Sequence, residues 1–329
     1  MEDYKPLLSI IVPLYNAEPY IETCIYSILG SDLDIRDYEV IIVNDGSTDN
    51  GPAIAQKIVD KHSNMQLIHQ ENQGLSVARN TGIKKCNGNY FWCVDADDYV
   101  DKNLRLIVDC INDNNLDILA VKELKVKENN DVIGVHCYHP SVPYEKVITG
   151  SEAIIAGYSP SSACALIVRK QFVEECGVLF KPGIAHQDVE WTYRLFPYAQ
   201  RVLFSHITPY YYVHHADSIS QSINPEKKLK YILDDVVIIK SFETLAFKYK
   251  EINPELSNTI YQRSRNSQLG LVLLIYNNRK QLKNLGILST IINELKKCNL
   301  IPLKGDFLSN KKNFVKKYLN IWLRIFYIK

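Results

Sequence analysis

Three aspartates, Asp95, Asp97 and Asp98, crowd the end of the run YFWCVDADDYV (90–100), directly after five residues suited to burial in a sheet. Like charges so close repel, and burial disfavours the ionised form, so such crowding needs water, hydrogen-bond donors or a cation. Four readings compete. An EF-hand loop requires Gly at its sixth position and Glu at its twelfth, and the flanking elements read as strand and helix, so that reading fails. A phosphatase nucleophile pair belongs at the end of a first strand, whereas this is the fourth. A Mg²⁺ or Mn²⁺ site fits, because these hard ions take oxygen ligands and share them with substrate phosphates. The plain alternative is a solvated acidic loop in which Asp98 or Asp101 caps the next helix.

Other chemistry-bearing residues join the acids. Asp45 follows a second apolar run, where a carboxylate can accept hydrogen bonds from a base N–H, and Arg79 lies in NQGLSVARNTG (72–82), where a guanidinium suits a pyrophosphate. The chain contains neither the GxGxxG turn nor the GxxxxGK[ST] loop, the usual backbone cradles for phosphate. A carboxylate-bound cation would supply the missing positive charge.

The elements that must hold these groups alternate. Apolar β-rich runs LLSIIVP, YEVIIVN, MQLIH, YFWCVD and DILAV are separated by helical stretches from Leu7 to about Leu119, the signature of parallel βαβ units. Ile21, Cys24, Ile25, Ile28 and Leu29 recur at helical spacing, and a second helix is expected to start near Asn50 and Pro52. In open parallel sheets ligands bind beyond the carboxyl ends of the strands. Those ends are Pro13 to Asn16, Asn44 to Ser47, and Asp95 to Asp98.

Composition narrows the class. The 329 residues are 46% hydrophobic, and 38 Lys and Arg face 37 Asp and Glu, so nothing in the charge balance points to nucleic acid. Eight cysteines include no CxxC pair, which fits reduced structural thiols in a cytoplasmic protein better than disulfides or zinc. The opening MEDYKPLLSIIVP reads as a first strand and not a signal, and no apolar run approaches the ~20 residues of a membrane span.

Four blocks carry a family resemblance: LSIIVPLYNAEPYIETCIYSIL, YEVIIVNDGSTD, ENQGLSVARNTGI and GNYFWCVDADDYV. In order and spacing they resemble the family 2 glycosyltransferases of the GT-A fold over about the first 110 residues. The resemblance implies an α/β, Rossmann-like, mostly parallel sheet with helices on both faces. It also implies inverting, metal-dependent transfer of one sugar from a nucleotide-diphosphate sugar, UDP-sugars foremost. A hydroxyl of a saccharide or lipid-linked acceptor, as in surface polysaccharide synthesis, would receive it.

Carried over residue by residue, Pro13, Tyr15 and Glu18 resemble positions lining a nucleoside pocket, and Asp45 the one that reads the base. Arg79 resembles the Arg flanking the nucleotide, its plain alternative being a pair with a nearby acid. In Asp95-Ala96-Asp97 the resemblance implies a DxD motif, with Asp95 near the ribose and Asp97 on the Mg²⁺ or Mn²⁺, Asp95 assisting. KPGIAHQDVEWTYRLF (181–196) resembles the segment that supplies the catalytic base. There the customary Glu-Asp is Gln187-Asp188, so Asp188 is the expected base. As a plain alternative Asp188 caps a helix with apolar face Trp191, Leu195 and Phe196, and Glu190 interacts with its dipole. His214 and His215, in YYYVHHADSISQS, either reach the metal or stay solvated. The QxxRW signature of processive synthases is absent, favouring single-sugar transfer.

Residues 1–222 are expected to form the catalytic domain and 223–329 a helical extension for acceptor, membrane-surface or oligomer contacts. In its last helix Lys316, Lys317, Asn320 and Arg324 fall on one side and Phe314, Tyr318, Ile321, Trp322 and Ile325 on the other. That pattern suits either a peripheral contact at the inner face of a membrane or a helix packed on protein. Two rival functions stand: a nucleotide-sugar-binding protein that has lost catalysis, marked by Gln187, and a nucleotidyltransferase, which lacks the Gly- and Lys-rich opening loop it would need.

Overall fold

A computed structural model describes residues 5–214 and 224–327. Two compact units emerge, Met1–Gly183 with Gln187–Ala216, and Ile184–His186 with Asp217–Lys329. The first opens with β1 (Leu8–Leu14), α1 (Ile21–Leu29), β2 (Tyr38–Asp45), α2 (Gly51–Val59), β3 (Met65–Gln70), α3 (Leu75–Lys85), β4 (Tyr90–Cys93) and β5 (Tyr99–Val100). It continues through α4 (Arg105–Asn114), β6 (Ile118–Ala120), β7 (Glu123–Lys127), β8 (Val132–His136), β9 (Val147–Ile148), α5 (Gly150–Ile155) and β10 (Leu166–Arg169). α6 (Lys170–Cys176), α7 (Gln187–Leu195), β11 (Val202–Phe204) and β12 (Tyr210–His214) complete it.

Eight strands make one sheet in the order β3-β2-β1-β4-β10-β6-β11-β9. β1 lies at its heart, every residue buried, paired in parallel with β2 from Leu8↔Tyr38 to Leu14↔Asn44 and with β4 from Leu8↔Tyr90. Continuous apolar runs such as LSIIVPL are what a strand covered on both faces requires. The expected α/β architecture with a mostly parallel sheet is present, with one departure in strand order. β6, read as the next parallel neighbour of β4, does not touch it, because β10 enters antiparallel to both. Apolar periodicity reports burial; it does not name the neighbouring strand. Part of the reason for the insertion is visible, since Trp92 of β4 registers with Ile167 of β10 and donates its indole N–H to the Cys164 carbonyl at 2.6 Å. A second sheet, β5-β12-β7-β8, adjoins the acidic loop through β5 and β12.

All eight cysteines are unpaired thiols, and Cys24, Cys86, Cys93, Cys137 and Cys164 are buried. Burial pushes the Cys86 thiol up to about 11 and that of Cys93 up to about 12, so both are protonated packing groups near neutrality.

The second unit comprises α8 (Pro225–Tyr249), α9 (Pro254–Asn277), α10 (Arg279–Asn284), α11 (Leu288–Lys297) and α12 (Asn310–Phe326). α8 and α9 open alike, with Asn224 and Asn253 accepting the third-residue N–H and Pro in the first turn. Among the described residues no helix is long and apolar enough to cross a membrane. α12 departs from the two-sided pattern drawn from sequence. Leu319, Trp322 and Leu323 are buried, while Lys316 binds Gly305 and Asp306 and Asn320 pairs with the Leu303 backbone. Lys316 and Asn320 are therefore engaged with protein, whereas Lys317 and Arg324, with Phe314, Ile321 and Ile325, remain exposed.

Two helical glycines separate packing from propensity. A Cβ on Gly82 in α3 would stand 2.2 Å from Ile11 Cγ2, whereas one on Gly270 in α9 meets nothing within 4 Å. Ala favours a helix over Gly by about 1 kcal/mol at either site. Gly270→Ala should raise stability by about that amount, and Gly82→Ala should lower it by roughly 1–3 kcal/mol because overpacking β1 outweighs propensity. Urea unfolding midpoints at unchanged slope measure both.

Candidate functional site

The loops after β1 and β2 are stapled to each other. Asn16, at φ 49°, accepts from the Thr48 N–H at 2.8 Å and donates its own N–H to Ser47 Oγ at 3.1 Å. Glu18 donates its N–H to Asp49 and accepts from the Asn50 N–H at 2.9 Å, which fixes the start of α2. Glu18, expected along a nucleoside pocket, thus spends its carboxylate on this tie. Pro13 is buried in β1 and Tyr15 stands 53% exposed at the loop. Asp45 is 2% exposed, and its carboxylate accepts from Gln70 Nε2 at 2.7 Å, the Gln73 N–H at 2.9 Å and the Gly74 N–H at 2.7 Å. Its visible work is to close the loop into α3, where Gly74 takes φ 89°.

That loop delivers α3 and with it Arg79, which is buried and donates to Asp95 Oδ1 at 2.7 Å. Burial works against the guanidinium charge, but Asp95 foremost and also Asp188 hold it firmly protonated. Asp188 is close enough for its charge to act on the same guanidinium, so the acidic loop and the start of α7 share one electrostatic neighbourhood. Phe180 lies under Arg79 at 5.4 Å and stacks on Trp191 of α7 at 4.1 Å. Asn80 brackets Phe180, donating to its carbonyl at 2.8 Å and accepting its N–H at 2.9 Å.

The acids divide by burial. Asp95 is partly exposed, Ala96 is packed in the core, Asp97 is exposed and Asp98 is 4% exposed. Neither Asp98 nor Asp101 caps α4, contrary to the plain sequence reading: Asp32 accepts the Arg105 N–H, and Asp101 accepts that of Asn103. Asp98 instead accepts from the Tyr210 hydroxyl at 2.5 Å and the Val213 N–H at 2.7 Å, and Tyr210 also accepts the Asp95 N–H at 3.2 Å. Burial, then Asp97, then Asp95 push the Asp98 carboxyl up to about 9 against those two hydrogen bonds. The turn's carboxylate oxygens are hard ligands of the kind that fit Mg²⁺ or Mn²⁺. With Asp95 bound to Arg79 and Asp98 to Tyr210, the exposed Asp97 is the carboxylate best placed to meet such an ion and a ligand's phosphates.

Asp188 sits half-buried in the first turn of α7, one residue inside the helix, and accepts the Val189 N–H. Glu190 is buried in a two-point ion pair with Arg194, both contacts 2.7 Å, so it braces the helix through a side-chain partner. Trp191, Leu195 and Phe196 are buried as expected. His214 ends β12, exposed and in register with Lys127. His215 lies outside the described residues. Sequence reasoning missed Tyr210. Tyr210 is hidden in an aromatic run whose alternation alone separates inward from outward rings.

The Arg79 and Asp95 pair yields a stability test. Asp95→Asn leaves the guanidinium buried without its carboxylate, a change that costs roughly 3–5 kcal/mol. Asp97→Asn, at an exposed site, should stay within about 0.5 kcal/mol of the parent. Chemical denaturation of both variants reads the difference.

Comparison with known proteins follows the same outline. The model of glycosyl transferase family 2 matches residues 9–166. An Escherichia coli (strain K12) protein described as the uncharacterized glycosyltransferase YibD is 30% identical over 268 residues, 77% of this chain and 76% of that one. The Bacillus subtilis (strain 168) protein described as the uncharacterized glycosyltransferase EpsJ is 47% identical over 116 residues, a stretch that spans only 33% of its own length. Among solved structures, S. aureus TarS 1–349 in complex with UDP-GlcNAc superposes with a TM-score of 0.67 at 20% identity, covering 96% of this chain and 88% of that one. The mannosyltransferase PcManGT from Pyrobaculum calidifontis, in complex with GDP-Man and Mn²⁺, does so with a TM-score of 0.54 at 17% identity, covering 97% and 88%. These two likenesses establish the fold.

Proposed function

The chain belongs to glycosyl transferase family 2, and from that premise we propose that it is an inverting enzyme moving one sugar from a nucleotide-diphosphate sugar to an acceptor hydroxyl. The observation that carries the proposal is the convergence of Asp95, Asp97 and Asp98 with the Arg79 guanidinium, on which Asp188 also acts. UDP-sugars are the donors we favour, in keeping with the UDP-GlcNAc bound by TarS. A saccharide or lipid-linked saccharide in surface polysaccharide synthesis is the favoured acceptor.

In this mechanism Asp188 takes the proton of the acceptor hydroxyl while that oxygen attacks the anomeric carbon opposite the leaving diphosphate. The first turn of α7, locked by Glu190–Arg194 and by Trp191 against Phe180, holds the carboxylate in position. Tyr15 offers an exposed ring for the nucleoside, and Pro13 shapes the floor behind it. Asp45 serves the base from the edge of the loop it closes. Arg79 holds Asp95 in one orientation, so the ribose side of the turn does not shift as charge develops. A Mg²⁺ or Mn²⁺ held by Asp97, with Asp95 beside it, would neutralise the diphosphate and stabilise the departing nucleotide.

The helical unit is proposed to work at an anionic membrane surface. Phe314, Ile321 and Ile325 are exposed on α12 beside Lys317 and Arg324, and the groove of about 410 Å³ next to them adds Arg279, Lys280 and Lys283. Apolar groups that enter the headgroup layer beside cations that meet lipid phosphates fit such a surface.

Asp188→Asn should abolish transfer while metal-dependent nucleotide binding persists, read by product release and by thermal shift with Mn²⁺ and nucleoside diphosphates. A wild type that binds nucleotide yet turns over no donor would establish the binding-protein alternative. Pyrophosphate release from a nucleoside triphosphate would establish the nucleotidyltransferase. For the membrane, sedimentation with phosphatidylglycerol vesicles should fall at least tenfold in Ile321→Asp/Ile325→Asp. A variant that sediments unchanged, or a wild type that self-associates through this face without vesicles, rejects the lipid reading.

A further inference from the structure

We propose that Glu123, His136 and Cys137 form a site for zinc, with a donor set unlike that of the acidic loop. In the register of β7 and β8, Glu123 stands directly opposite His136, and His136 Nδ1 lies 2.7 Å from Glu123 Oε2. Strand alternation would send Cys137 to the other face. Its backbone instead turns left-handed, φ 57°, and brings Sγ to 3.5 Å from the same Nδ1. One oxygen, one nitrogen and one sulfur thus lie within 4.8 Å of one another.

A second observation is independent of that convergence. Glu123 is 0% exposed, and its Oε1 has no hydrogen-bond partner among the described residues. Native proteins rarely leave a buried carboxylate oxygen unanswered, so a group outside the hydrogen-bond network is called for. A Glu–His staple of the hairpin would explain Oε2 and leave Oε1 unexplained.

The distances suit the ion. Ligands about 2.0–2.3 Å from a tetrahedral zinc stand roughly 3.3–3.6 Å apart, so the Nδ1 to Sγ separation needs no change. The Oε2 to Nδ1 contact must open by about half an ångström, which follows when the hydrogen between them is displaced. On binding, the Cys137 thiol proton leaves to solvent and the imidazole carries its hydrogen on Nε2. The 34% exposure of the His136 side chain leaves room for water as fourth ligand, and Ser161 Oγ lies 3.3 Å from Sγ. Thiolate and imidazole select zinc over the hard cations expected at Asp97.

The test uses the full chain, stripped with a chelator and free of nucleotide. One equivalent of Co²⁺ should produce a near-ultraviolet thiolate-to-metal band with visible tetrahedral bands, and Zn²⁺, but not Mg²⁺, should bleach them. Cys137→Ser, checked for folding by circular dichroism, should lose the band and bind zinc at least tenfold more weakly. A spectrum typical of oxygen ligands alone, or an unchanged band in Cys137→Ser, overturns the proposal. Wild-type chain provides a readout that needs no variant: stoichiometric Zn²⁺ should slow alkylation of Cys137, located by peptide mass, at least tenfold. Equal alkylation with and without zinc rejects the site.

Discussion

The buried Arg79 guanidinium is the constraint around which the first unit is arranged. A charge 3% exposed is tolerable only beside a carboxylate with good geometry, and Asp95 meets it at 2.7 Å. The pair ties α3 to the turn after β4. Through Phe180 and Trp191 the same guanidinium lies against the helix that carries Asp188. Three segments distant in the chain are thereby held by one cation. Asn80, one residue on, secures the Phe180 backbone on which this contact rests.

A second device handles the buried acid that this pair leaves behind. Asp98 is buried between Asp95 and the second sheet, where Tyr210 and Val213 of β12 supply its hydrogen bonds. Tyr210 therefore serves two acids at once, receiving the Asp95 N–H while donating to Asp98. With Asp95 and Asp98 both committed to protein, Asp97 is the acid presented outward. Crowding of carboxylates is thus resolved by giving each a different partner. The fold answers two of them with buried protein donors and turns the third toward the surface.

The small sheet also shows how one scaffold places unlike chemistries side by side. β12 supports the acidic turn, while its neighbour β7 and the end of β8 beyond it gather Glu123, His136 and Cys137. A thiol and an imidazole beside Glu123 differ in kind from the all-carboxylate turn, so ligand type alone would tell zinc from a harder cation.

Much of this was legible in the residues themselves. The largely apolar β1, β2 and β4 runs, the start of α2 at Asn50 and Pro52, and the acids at a strand end all follow from local periodicity and turn chemistry, which depend on near neighbours in the chain. The family blocks likewise sit in one continuous stretch. What local pattern cannot contain is the choice of distant partners. Only the tertiary structure decided that β10 would separate β6 from β4, that Glu18 and Asp45 would close loops, that Lys316 and Asn320 would turn toward protein, and that Glu123 would meet His136 and Cys137. A residue's type sets what it can bind, but burial sets what it must bind, and burial is a property of the assembled chain.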